Sequence, residues 1–276
     1  MEHLGYIFSE FLGTFMLILI GLGVNANVSL KKTHGSGSGW IVITWGWSMG
    51  VLIGATVALY SGGQLNPAVT IGLLMAKQLT FVQATEAIVG ELLGAFVAAS
   101  LIVFLYWNHF KETDDQGAIG GTFFTSPAIE SPTHNFFAEV FGTFVLMGAI
   151  LASIIFSNQG SFILYGPLFA ALAVFAIGMS LGGLTGYSIN PARDLMPRLT
   201  HHLMPIPNKG SSNWNYSWVP IIGPIVGALF AVAVSYLGLA MATNLDWETL
   251  GNGSQWGLNS AGISQNIGLS LYSFNI

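Results

Sequence analysis

Two short stretches decide how this chain is read: Leu65-Asn66-Pro67-Ala68-Val69-Thr70 and Asn190-Pro191-Ala192-Arg193-Asp194. Each opens an apolar segment, 67–77 and 191–202. Both are too short to cross a bilayer core of ~30 Å, which needs about 20 residues of helix. Proline is favoured at the first helical position and asparagine at the cap before it, so both segments read as short helices with abrupt starts. Glycine-rich backbone precedes each of them, Ser61-Gly62-Gly63 in one case and Gly182-Gly183 with Gly186 in the other. Non-helical backbone at membrane depth is tolerated only where it is buried in protein or lines a wet cavity. Interrupted segments at corresponding places in two halves of a chain point to a transport site.

The rest of the chain suits that depth. Charged residues make up 7% of it, against roughly 25% in a soluble domain, and hydrophobic residues reach 53%. Seven Lys and Arg with twelve Asp and Glu are too few to solvate a 29.4 kDa surface of mean hydropathy +0.66, so lipid covers most of it. A net charge of −5 leaves no basic patch for nucleic acid. The absence of cysteine excludes disulfides, thiolate metal sites and Cys nucleophiles. Met1-Glu2-His3 lacks the basic start of a secretory signal, so the first apolar segment reads as a retained span. Thirty-five glycines suit closely packed membrane helices.

Six segments are long enough to span, at 6–28, 40–60, 82–107, 136–156, 162–181 and 218–241. Trp40, Tyr106, Trp107, Tyr165 and Trp218 at their ends suit the headgroup interface. Polar connections separate them at 29–39, 108–135 and 158–161, and the Asn-, Ser- and Gly-rich stretch from 244 to 276 reads as a surface tail. The halves echo one another: Ser9-Glu10-Phe11-Leu12-Gly13-Thr14-Phe15 against Ala138-Glu139-Val140-Phe141-Gly142-Thr143-Phe144. Each half holds three spans, an odd number, so the second enters from the opposite face. An inverted repeat follows, and its two short helices can meet near the midplane.

With both Asn-Pro-Ala boxes so placed, residues 5 to about 243 resemble the aquaporin (major intrinsic protein) family. That resemblance implies an all-α membrane fold of six transmembrane helices and two re-entrant half-helices. It implies one channel domain at 1–243, with repeats at about 5–107 and 135–243. Asp194 after Arg193, the stretch Gly182-Gly183-Leu184-Thr185-Gly186-Tyr187, and Val219-Pro220-Ile221-Ile222-Gly223-Pro224 resemble the glycerol-conducting branch. By alignment that branch's selectivity filter falls on Trp45, Gly178, Tyr187 and Arg193. Three departures stand out. Gln64 occupies a place where His is common, Tyr187 one where Phe is usual, and a segment one residue longer leaves Trp47 competing with Trp45.

These residues also have a chemical reading. The side-chain oxygen of a capping asparagine accepts a backbone N–H, which leaves the NH2 of Asn66 and of Asn190 facing the lumen as a donor. Each helix N-terminus carries about +0.5 elementary charge, which repels cations and admits neutral solutes. Arg193, charged at any relevant pH, is expected to face the cavity and donate to solute hydroxyls. Trp45 and Tyr187 would present an apolar corner to the CH edge of a polyol, and Gly178 would leave room for a three-carbon chain. Glu10 and Glu139 are intramembrane carboxylates, and their symmetry favours accepting backbone N–H groups of the box loops over a proton relay. Glu91 reads as a helix-interface marker. Asp194 is expected to order its loop through the backbone or Arg198. His201-His202 and Asp114-Asp115 read as loop pairs, and Gly90/Gly94 and Gly223/Gly227 as helix-packing faces.

The expected function is passive conduction of glycerol, other small neutral solutes and water, with ions and protons excluded. No catalytic residue, metal or cofactor is expected. The resemblance implies a homotetramer in the lipid bilayer of a plasma membrane, with cytoplasmic termini. Lys31, Lys32, Lys111 and Lys209 against Lys77 weakly favour outside termini by the charge rule; the resemblance is followed. The alternatives are a water-selective channel, which Gly178 and Asp194 oppose, and an ion-coupled transporter, which would have only Glu10, Glu91 and Glu139 as ion ligands.

Overall fold

The computed structural model describes residues 2–157 and 165–243. The expected tail at 244–276, the connection at 158–161 and the expected start of the fifth span at 162–164 lie outside the described residues. Those described fold into helices: α1 (Glu2–Ser29), α2 (Trp40–Val57), α3 (Pro67–Met75), α4 (Phe81–Leu105), α5 (Trp107–Glu112), α6 (Gln116–Phe123), α7 (Pro132–Ser157), α8 (Tyr165–Ser180), α9 (Gly182–Thr185), α10 (Pro191–Leu203) and α11 (Trp218–Thr243), with a 3-10 turn at Trp214–Tyr216. Among the described residues there is no strand. Helices α1, α2, α4, α7 and α11 are long and apolar enough to cross a membrane, and α8 has 16 described residues.

Two glycine-mediated contacts build the two halves. A Cβ on Gly90 or Gly94 of α4 would come within 2.4 and 2.2 Å of the Ile7 and Phe11 carbonyl oxygens of α1. In the other half, a Cβ on Gly223 or Gly227 of α11 would meet the Glu139 Cβ at 2.8 Å and the Val140 carbonyl oxygen at 2.2 Å of α7. These small-residue faces let the helix backbones touch. Large apolar side chains such as Phe8, Leu93, Phe104 and Phe230 point outward and are exposed, while Glu10, Thr14, Glu91, Glu139 and Arg198 are buried inside. The outward face is apolar, as suits lipid, while the interior combines an apolar core with a smaller set of buried polar and charged groups.

The polar connection at 108–135 holds most of α5, all of α6 and the first turn of α7. Asp115, read as half of a solvated acidic pair, caps α6 and accepts from the Gly117 and Ala118 N–H groups at 2.8 and 3.1 Å. His201 and His202, read as loop residues, form part of the last turn of α10. His201 is buried between the Phe123 and Phe124 rings, with Nδ1 2.8 Å from the Ser212 hydroxyl. Beyond α10, the Lys209 ammonium donates to the His201, His202 and Met204 carbonyls and so supplies a donor to the acceptors at that helix end.

Candidate functional site

Helices α3 and α10 begin as their boxes dictate. Asn66 and Asn190 are extended N-caps, with φ −158° and −154°, and Pro67 and Pro191 take the first helical positions. Asn66 Oδ1 accepts from the Ala68 N–H at 2.9 Å; Asn190 Oδ1 accepts from the Ala192 and Arg193 N–H groups at 2.9 and 3.2 Å. Such caps are worth about 1 kcal/mol each. The amide nitrogens then cross. Asn66 Nδ2 donates to the Ile189 carbonyl at 2.7 Å, and Asn190 Nδ2 to the Leu65 carbonyl at 2.8 Å. Each NH2 thus ties one box to the residue before the other, and keeps a second N–H. The NH2 groups expected to face the lumen therefore each commit one hydrogen to closing the junction. Ala68 and Ala192 are fully buried there.

The backbone entering each box follows one plan twice. Counting back from the asparagines, positive φ recurs at Gly62 and Gly186, at Gly63 and Tyr187, and at Leu65 and Ile189. Left-handed geometry costs a non-glycine residue of order 1–3 kcal/mol. Two buried carboxylates offset it atom for atom. Glu10 accepts from the Ser61 hydroxyl (2.6 Å), the Gln64 N–H (3.0 Å) and the Leu65 N–H (2.8 Å). Glu139 accepts from the Thr185 hydroxyl (2.7 Å), the Ser188 N–H (2.9 Å) and the Ile189 N–H (2.8 Å). Hydrogen bonds to a charged group contribute roughly 1.5–3 kcal/mol each, set against the strain and the several kcal/mol that desolvating a carboxylate costs, so these bonds tie each loop to its carboxylate.

Two cavities meet beside this junction. One, of about 170 Å³, is lined by both asparagines, by the loop residues Gln64 and Ser188, and by apolar side chains such as Leu17 and Val174. The other, of about 480 Å³, opens among α2, α6 and the stretch at 210–213. Both are lined by Trp47, Gly186, Tyr187 and Arg193, which makes these four the boundary between them. Arg193 is 5% exposed, donates from Nη1 to the Phe123 carbonyl at 3.0 Å, and lies with its guanidinium carbon 4.2 Å from the Trp47 ring centroid. A guanidinium has five N–H donors, so further donors remain for a solute.

Trp45 is not at this boundary. It is 52% exposed and packs edge-on against Phe175 at 5.1 Å, whereas Trp47 is 5% exposed. At 3.6 residues per turn, two positions differ by about 200° around the axis, so when Trp47 faces inward Trp45 faces outward. Gly178 also stands behind the cavity wall rather than in it. A Cβ there would lie 2.7 Å from Thr44 Cγ2 and 3.0 Å from Tyr187 Cζ, so its missing side chain makes room for the Tyr187 ring. The Tyr187 hydroxyl is buried without a hydrogen-bond partner.

Asp194 and Arg198, one turn apart and fully buried, hold the segment over the site. Asp194 accepts from the Thr125 N–H and hydroxyl at 2.8 and 2.7 Å, and from Arg198 at 2.7 Å. Arg198 donates onward to the Thr125, Ser212 and Asn213 carbonyls. Gln64 donates to the Ser61 carbonyl and leaves Oε1 unpartnered beside the narrower cavity. Glu91 accepts from the Thr70 hydroxyl at 2.6 Å, bracing α3 from α4. One polar residue escaped sequence reasoning: Asn25, whose Oδ1 accepts from Trp47 Nε1 at 3.0 Å. The amides Asn25 and Asn27 near the end of an apolar span were the available signal. Among the described residues no group of three His, Cys, Asp or Glu could hold a metal ion.

Known proteins resemble this chain along most of its length. The family model described as Major intrinsic protein matches residues 1–236. The chain is 48% identical over 227 residues to a probable glycerol uptake facilitator protein of Thermotoga maritima, covering 82% of this chain and 96% of that one. It is 47% identical to the glycerol uptake facilitator protein of Bacillus subtilis, covering 80% of each. The X-ray structure of the aquaglyceroporin from Plasmodium falciparum superposes with a TM-score of 0.73 at 32% identity, over 84% of this chain and 94% of that one.

Proposed function

This chain belongs to the major intrinsic protein family, and on that footing we propose that it is a passive transmembrane channel for glycerol and other small neutral solutes, water included. The observation that carries the reading is the pair of crossed asparagine amides lining a cavity that runs on to the Trp47–Tyr187–Arg193 boundary. At the boundary a solute's hydroxyls accept from Arg193 while its CH edge rests on Trp47 and Tyr187. At the junction its oxygens accept the remaining N–H of Asn66 and Asn190. Two helix N-termini, each with about +0.5 elementary charge, and a fixed guanidinium raise the energy of any cation there. A neutral polyol exchanges water for these donors and meets no such barrier. Glu10 and Glu139 spend their lone pairs on backbone N–H groups, which favours a supporting role over ion coupling.

Residues 1–243 act as one channel domain in this reading, assembled as a homotetramer with a passage in each copy, in the plasma membrane with cytoplasmic termini. The relatives named glycerol uptake facilitators support glycerol as the solute. Stopped-flow light scattering on proteoliposomes tests the proposal. Glycerol flux should rise in proportion to its gradient and ignore a proton gradient. Saturation at low concentration, or flux driven by a proton gradient, would replace the channel by a coupled transporter.

A further inference from the structure

Asn25 sits in α1, 6% exposed, between Val24 and Ala26; the next amide of the helix, Asn27, turns instead to the α1–α2 connection, where its Oδ1 accepts from the Gly35 N–H at 3.2 Å. The Asn25 amide is fully engaged, and both ends reach the boundary between the cavities. Oδ1 accepts from Trp47 Nε1 at 3.0 Å, and Nδ2 donates to the Gly121 and Thr122 carbonyls at 3.1 and 3.5 Å. The next residue, Phe123, supplies the carbonyl that receives Arg193. One side chain therefore holds the indole on which Arg193 rests and the segment to which Arg193 donates. Asn25 also lines the wider cavity with Trp47 and Arg193.

The inverted repeat adds a second argument. Counting from Glu10 and Glu139, the residue of α7 corresponding to Asn25 is Ile154. The carboxylates and capping asparagines serve both halves and occur twice, but this amide occurs once. Its partner Trp47, and the Arg193 guanidinium that rests on that ring, likewise define a boundary on one side of the asparagine junction. A buried amide inside a span is costly unless it is bonded, so its presence on one side alone matches a function on one side alone.

We propose that Asn25 is a positioning residue for solute selection: it fixes the Trp47 ring and, through the 121–123 segment, Arg193, and so sets the width and donor geometry of the boundary. The proposal rests on the reading of Trp47 and Arg193 as the selective boundary, deepens it, and assigns a residue outside the boundary to it. Asn25 acts through these groups and need not touch the solute.

The test compares glycerol, erythritol and water permeabilities of proteoliposomes, with size-exclusion profile and thermal melt as folding controls. A folded Asn25→Leu channel should raise the erythritol-to-glycerol permeability ratio by about fivefold, the scale of one net hydrogen bond. Loss of folded protein alone lowers all fluxes together and leaves the ratio unmoved. Trp47→Phe keeps a flat ring and removes the N–H, so it should move the ratio in the same direction. The double variant Asn25→Leu/Trp47→Phe should be no looser than Asn25→Leu, because coupled residues are not additive. An unchanged ratio in folded Asn25→Leu, or additive effects in the double variant, would overturn the proposal. Should Asn25→Leu fail to fold, Asn25→Ala takes its place, and an unchanged ratio in Trp47→Phe alone would overturn the proposal. Arg193→Val and Trp47→Leu separate the two layers. If they shift the ratio and Asn25→Leu does not, only the Asn25 proposal falls. If they too leave it unmoved, the boundary reading falls with it.

Discussion

The Arg193 guanidinium lies over the Trp47 indole, its central carbon 4.2 Å from the ring centroid, and its Nη1 donates to the Phe123 carbonyl. Desolvating a charge costs several kcal/mol even after relaxation, while a desolvated cation–π contact returns ~2 kcal/mol or more. The contact and the carbonyl therefore hold Arg193 in place without neutralising it. A carboxylate in the same position would cancel the charge that repels cations. The neighbouring carboxylate, Asp194, is instead committed to Thr125 and Arg198.

Trp47→Leu removes the face on which Arg193 rests, so the glycerol-to-water permeability ratio should change by about tenfold, equivalent to ~1.4 kcal/mol at the barrier. Trp45→Leu alters only the outward ring packed on Phe175 and should leave that ratio alone. Stopped-flow measurement of both variants decides between the two tryptophans. A large effect at Trp45 with none at Trp47 would reverse the assignment.

Much of this arrangement is legible in the sequence, for reasons specific to each residue. Asn66-Pro67 and Asn190-Pro191 carry cap and first helical position in adjacent letters, so α3 and α10 start where the sequence puts them. Glu10 and Glu139 stand in matching heptapeptides, and symmetry alone points each toward its own box loop. Trp45 and Trp47 differ by two residues in one helix, and the extra residue between them and Asn66 removes the register that would choose. The crossing of the Asn66 and Asn190 amides joins residues far apart in sequence, and no local pattern encodes it. Asn25 acts on α2 and on the last turn of α6, elements whose placement depends on the whole bundle.

Glu139→Gln replaces an acceptor-only group that receives three hydrogen bonds with an amide whose NH2 must face a donor. One buried N–H then loses its partner, at about 1–3 kcal/mol, while the left-handed backbone at Tyr187 and Ile189 remains. The variant should melt at lower temperature in detergent and conduct less, and Glu10→Gln should behave alike. A variant that folds normally and loses only proton-coupled uptake would assign Glu139 to a relay.

At the surface, Lys31 and Lys32 pair with Asp114 and Glu112 at 2.8 and 2.5 Å, joining the α1–α2 connection to the end of α5. Lys31 holds the Asp114 carboxyl below its ordinary range, and Lys32 does the same for Glu112. A lowered folded-state pKa means the unfolded chain takes up protons first as pH falls. The contribution is therefore complete above about pH 4.5 and disappears as pH drops through the folded values. These pairs are exposed and screened by salt, so the effect is local. Hydrogen exchange of the 30–38 amides should be constant from pH 5 to 8 after correction for intrinsic rates, and less protected in acid or high salt. Equal protection at low pH would show that hydrogen bonds such as those of the Lys31 N–H to the Thr113 hydroxyl and of the Gly35 N–H to Asn27 Oδ1 hold the connection without the ion pairs.

Gly178 lies 138 residues from the nearest side chain whose N–H it receives: its carbonyl accepts from Trp40 Nε1 at 2.8 Å. Its missing Cβ is the space taken by Thr44 Cγ2 and the Tyr187 ring. Gly178→Ala therefore presses on both, and overpacking of this kind costs typically 1–3 kcal/mol. Trp40 contacts the Tyr187 ring edge-on at 5.8 Å, so retreat on that side is blocked, and the ring must shift toward the boundary it shares with Arg193. Glycerol permeability should fall more than water permeability, because the wider solute meets the displaced ring first. Thr44→Ser deletes the methyl group nearest the new Cβ and should restore part of the glycerol flux in the Gly178→Ala background. Equal loss of both permeabilities, with no relief from Thr44→Ser, would show that Gly178 acts on the fold as a whole and not on the position of Tyr187.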